Sequence, residues 1–112
     1  MYGSRYRPLY PVFDPEGRSV GLATENDEKV LCLFSRKVLA ERWLFDMGLQ
    51  GHIVGKGFVP EEVARFCDVA MMDGFRLATI NPPTSLRRKI QMGTILKLKE
   101  QAIAKMQTEA RI

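Results

Sequence analysis

Between Val30 and Pro83 the chain alternates apolar runs with capping and breaking residues in an order that leaves few folds open to it. Val30-Leu31-Cys32-Leu33-Phe34 is an unbroken apolar run, which predicts a buried central strand over Lys29 to Phe34. Ser35 follows as the expected N-cap, its hydroxyl accepting an orphan backbone N–H. The helix behind it sets Val38, Leu39, Arg42-Trp43, Phe45 and Met47 at mixed spacings of three and four, and Gly48 suits the left-handed position past its end. Pro60 fits the first position of a second helix, with Glu61 and Glu62 favourable near its positive end. Val63, Phe66, Cys67, Ala70 and Met71 then recur on one face, and Asp73-Gly74 ends the helix. Phe75 to Ile80 returns to strand composition and stops at Asn81-Pro82-Pro83.

The flanks are weaker. Residues 1 to 8 have no periodicity and read as a loose arm. Tyr10 to Phe13 has strand composition, but the prolines around it (Pro8, Pro11, Pro15) confine it to a sheet edge. Asp14-Pro15-Glu16-Gly17 is a turn, Ser19 to Thr24 a second short strand, and Leu49 to Phe58 a strand broken by Gly51, Gly55 and Gly57. From Thr84 or Ser85 onward the chain reads as helix, with Ile95, Leu98, Ala102 and Met106 at spacings of three and four in one narrow apolar stripe.

These 112 residues, 46% hydrophobic and 27% charged, suit one ordinary globular domain rather than a disordered chain. No apolar run reaches the roughly 18 residues of a membrane span, and no apolar segment follows the basic N-terminus to make a signal peptide. A cytoplasmic location is the expectation. Cys32 and Cys67 sit inside apolar patterns and read as buried thiols, whether or not they are close in space. The net charge of +4 is unevenly placed: residues 86 to 112 carry seven basic and two acidic side chains, against ten basic and eleven acidic in the rest.

Chemistry is sparse. His52 is the only histidine and has no carboxylate near it in sequence, so neither a proton-transfer pair nor a zinc site with two distant cysteines is expected. Gly51, Gly55 and Gly57 lack the Gly-Lys-Ser/Thr ending of a phosphate loop. Glu61, Glu62 and Asp68 are explained by the helix dipole and a solvated face, and no serine lies in a nucleophile-elbow setting. No catalytic residue, cofactor or metal is expected. Arg87, Arg88 and Lys89, followed by Lys97, Lys99 and Lys105, offer cations to phosphates or to an acidic protein, but no aromatic in residues 86 to 112 offers a base a stacking surface.

The central stretch resembles the N-terminal domain of SseB-like bacterial proteins, over roughly Val12 to Ser85. The elements that carry the likeness are Leu33-Phe34-Ser35, the tryptophan helix Ala40-Glu41-Arg42-Trp43-Leu44, and Asp73-Gly74-Phe75-Arg76-Leu77-Ala78-Thr79-Ile80-Asn81-Pro82. The resemblance implies a small α+β domain without catalysis, associated with protein interaction and, in the type member, with secretion. Against that pattern, one domain rather than two is expected within these 112 residues, with a basic helix as its last element.

The expected fold is α+β: a small, mainly antiparallel sheet packed against helices near 36 to 47 and 60 to 72, with a longer basic helix from about 85. Residues 1–85 form the α+β domain, and residues 86–112 form a helix that joins it or projects from it. Leu31, Leu33, Leu39, Trp43, Val63, Phe66, Cys67, Leu77 and Ile80 form the expected core. The function expected is a non-enzymatic interaction module that self-associates or binds a protein partner through the C-terminal helix, using Arg87, Arg88, Lys89, Ile95, Leu98, Ala102 and Met106. The alternative is a nucleic-acid-binding accessory protein that uses the same basic helix.

Overall fold

A computed structural model describes residues 7–84 and 90–110 of the chain. The elements run β1 (Tyr10–Phe13), β2 (Gly21–Ala23), β3 (Lys29–Phe34), α1 (Lys37–Asp46), β4 (Ile53–Val54), α2 (Pro60–Met72), β5 (Phe75–Ile80), β6 (Gly93–Thr94) and α3 (Ile95–Ala110). The class is α+β. Among the described residues the strands form one sheet ordered β4-β1-β3-β5-β6, with β2 also paired to β3.

That sheet is mixed. Four pairings are antiparallel, but β5 lies parallel to β3, with Val30 opposite Leu77 and Leu33 opposite Ile80. Parallel neighbours need a long crossover, and here α1, β4 and α2 together supply it. Parallel pairing also places β3 at the centre, and its residues Val30 to Phe34 are all buried because both faces are covered. On one face Leu31 and Leu33 pack with Val63, Cys67 and Ala70 of α2 and with Ile95 and Ala102 of α3. On the other, Cys32 and Phe34 join Val12 and the inner residues of α1: Ala40, Trp43 and Leu44. The Phe34 and Trp43 rings lie 5.4 Å apart, centroid to centroid. Cys32 and Cys67 are free thiols in different clusters on opposite faces of the sheet.

Four expectations are corrected. Tyr10–Phe13 is not an edge strand: it lies between two neighbours, pairing with β3 at Tyr10 and Pro11 and with β4 at Val12 and Phe13. Ser35 does not cap α1: Arg36 occupies the N-cap position without a side-chain cap bond, and Ser35 is held instead by Asn81. Leu39 and Ile80 are on the surface rather than in the core. Leu39 lies outside the helical face that carries Ala40, Trp43 and Leu44, and Ile80 ends its strand one residue before the turn at Asn81. The last helix begins at Ile95 rather than near 85. Gly93 and Thr94 pair with Ala78 and Leu77 as a short edge strand, and the Lys97 N–H then donates to the Thr94 hydroxyl, 3.1 Å, to start the helix. Just before it, the Thr79 hydroxyl donates to the Gln91 carbonyl at 2.8 Å, fixing that segment against β5.

Candidate functional site

The α3 stripe expected to bind a partner is occupied inside the molecule. Ile95 and Ala102 are buried, and Leu98 and Met106 pack half-buried on the same cluster, so α2 and the sheet cover all four. The stripe thus serves the domain's own core, while Leu96 beside it is exposed. Lys99 Nζ ties the packing further with a 2.6 Å bond to Asp68 Oδ1. Arg87, Arg88 and Lys89 lie outside the described residues.

The other residues weighed for chemistry are engaged locally. His52 Nδ1 lies 3.2 Å from the Gln50 carbonyl. Lys56 Nζ is 2.7 Å from Glu62 Oε2, and this contact, with the Val59 N–H bond to Glu62 Oε1, holds the Glu62 carboxyl below its usual value. Gly55 and Gly57 serve packing. A Cβ at Gly55 would come within 2.6 Å of the Phe13 ring, and one at Gly57 within 3.0 Å of the Tyr10 ring, so the glycines let β1's aromatic side chains lie against this strand. Burial pushes the Cys32 thiol up to about 12 and the Cys67 thiol to about 11, and a thiol held there supplies no thiolate near neutrality. Among the described residues no three histidine, cysteine or carboxylate side chains gather as a metal site, and no helix is long and apolar enough to cross a membrane.

Two depressions bear on function. The larger, about 540 Å³, is lined by Asp14, Arg18, Lys29, Asp73 and Phe75. Its cations are engaged within the chain: Arg18 pairs with Asp14 and Glu16, and Lys29 donates to the Asp73 carbonyl and lies over the Phe75 ring. The second, about 400 Å³, runs along α1 between Leu39, Arg42 and Trp43 on one side and Asn81 and Pro82 on the other. It lies beside a surface that exposes two large apolar side chains.

That surface is the outward side of α1. Ala40, Trp43 and Leu44 face inward, so Val38 and Phe45 point the opposite way, one above the other across two helical turns. Val38 is 61% exposed and Phe45 84% exposed. Lys37, Glu41, Arg42 and Asp46 surround them, all exposed, with Arg42 Nε a loose 4.0 Å from Asp46 Oδ2. An aliphatic and an aromatic side chain thus lie exposed inside a charged border. Sequence reasoning missed it by counting Val38 and Phe45 among the apolar positions of α1 without asking on which side the inward trio left them. Compared with known proteins, the chain matches no family model and no curated protein.

Proposed function

We propose that this chain is a non-enzymatic protein-interaction module whose contact surface is the outward side of α1. The observation that carries the reading is the pair Val38 and Phe45, apolar, exposed and aligned on a helix whose opposite side is well buried. Leaving a phenylalanine in water forgoes roughly 1.5–3 kcal/mol of burial that a partner recovers. The buried, un-ionised cysteines and the locally engaged His52 and Lys56 support a role without covalent or proton-transfer chemistry. The resemblance to the SseB-like N-terminal domain implies interaction as well. The site differs from the one expected on α3, whose apolar stripe serves the chain's own core.

The test places a photoreactive benzoylphenylalanine at position 45 of the full chain inside cells. Met72, exposed at the end of α2, serves as the control position. A discrete protein adduct from position 45, absent from position 72, is the expected result. No adduct from position 45 contradicts the reading.

A further inference from the structure

Resting on that reading, we propose that the depression beside α1 receives the carboxyl-terminal residue of the partner protein, an apolar side chain together with its free carboxylate. Passing round α1 at about 100° per residue from the Val38–Phe45 line, Arg42 comes first, then Asp46, Leu39 and Trp43. These four line the depression of about 400 Å³, which therefore adjoins the contact surface. Phe34 and Pro82, both buried, line it as well. Apolar lining alone would take any hydrophobic group, and two donors narrow the choice. Trp43 is 3% exposed, and among the described residues its Nε1–H is the buried side-chain donor left without an acceptor. Such a group forgoes a hydrogen bond until an occupant brings the acceptor.

Arg42 is the second donor. Its Nε lies 4.0 Å from Asp46 Oδ2, beyond hydrogen-bond length, so among the described residues no hydrogen bond holds the guanidinium fork. That fork matches a carboxylate, two N–H donors to two oxygens. Asp46 beside it disfavours a second negative charge, which limits the anion to a single carboxylate. Leu39 and Arg42 are three residues apart on the helix, so an apolar group and a carboxylate must arrive within about 6 Å of each other. The last residue of a chain carries both on one Cα, and the peptide carbonyl before it supplies the acceptor that the Trp43 N–H lacks. An internal aspartate or glutamate brings the charge without the apolar group, and an internal leucine does the reverse.

Trp43 is the only tryptophan of the chain, so its indole N–H gives a single ¹H–¹⁵N resonance that reads the site directly. The full chain is titrated with N-acetyl-leucine, with N-acetyl-leucinamide, which lacks the charge, and with 4-methylpentanoate, which lacks the peptide carbonyl. N-acetyl-leucine is expected to move the indole proton downfield with a Kd of about 1–10 mM, the strength of a single anchoring residue. The amide is expected to bind about tenfold more weakly and 4-methylpentanoate about fivefold. Arg42→Gln, at an exposed position, brings the acid down to the affinity of the amide, and circular dichroism checks that the variant is folded. An indole resonance left unmoved by N-acetyl-leucine up to about 50 mM overturns the proposal. So does an amide that binds as well as the acid, and so does 4-methylpentanoate binding as tightly, which makes the occupant a free acid rather than a chain end. If N-acetyl-leucine fails yet position 45 crosslinks to a protein in cells, the chain end is wrong and the interaction reading stands. If position 45 yields no adduct, the reading itself fails.

Discussion

Asn81 holds a left-handed backbone, φ 55°, at the end of β5. Its own N–H donates to the Leu33 carbonyl, its Oδ1 accepts from the Ser35 N–H at 3.0 Å, and its Nδ2 donates to the Ser35 hydroxyl at 2.9 Å. One residue thus locks the ends of the two parallel strands together. Losing two side-chain bonds and placing there an alanine, which tolerates the left-handed region less well than asparagine, predicts that Asn81→Ala costs about 2–3 kcal/mol, with Asn81→Gly about 1 kcal/mol milder. Urea denaturation of the two variants checks the order, and an alanine as stable as the glycine contradicts it. Glu62 gives a pH signature. Its folded carboxyl is depressed, first by Lys56 and then by the Val59 N–H, so its stabilisation is present above the ordinary value of 4.5 and is lost as pH falls through the lower folded value. The urea midpoint of Glu62→Gln should fall less below pH 4.5 than that of the wild type. The cysteines act at the other end of the scale. Their folded values are raised, so their contribution is complete below the ordinary 9.0 and declines as pH rises beyond it, when unfolded thiols ionise and folded ones do not. A thiol reagent at pH 8 should label neither cysteine in the native chain and both in urea.

Among the elements, those with local signals were legible in the sequence. The strand at Lys29–Phe34, the helix opened by Pro60 and the strand ended by Asn81-Pro82-Pro83 all lie where their composition puts them. The direction of pairing was not legible, because an apolar run carries its burial but not its neighbour, and only the crossover through α1 and α2 makes β3 and β5 parallel. The start of α3 was misplaced although its signal was present: Gly93 breaks the chain and Thr94 caps the helix, a cue that the basic run before it obscured. The stripe of α3 was seen correctly as apolar, yet periodicity cannot say whether a chain's own core or a partner covers it. A pair of substitutions separates the two helices' roles. Ile95→Ala, fully buried, should cost about 3 kcal/mol through transfer and cavity terms. Phe45→Ala should change monomer stability by no more than about 0.5 kcal/mol. Chemical denaturation at low protein concentration measures both, and a large loss at Phe45 would place that ring in the fold rather than on its contact surface.

At the scale of the whole molecule the layers divide the work. α2 and α3 close one face of the sheet, and α1 lies over the other with its apolar pole turned out. The uneven charge follows the same division only in part, since Lys99 is held by Asp68 while α1 carries both signs. The central claim is that association runs through α1 and not through α3. The most direct measurement compares benzoylphenylalanine crosslinking in cells from position 45 on α1 with crosslinking from position 96 on α3, where Leu96 is also exposed. A discrete protein adduct from position 45 and none from position 96 is expected. An adduct from position 96 alone, or none from either, would contradict contact through α1.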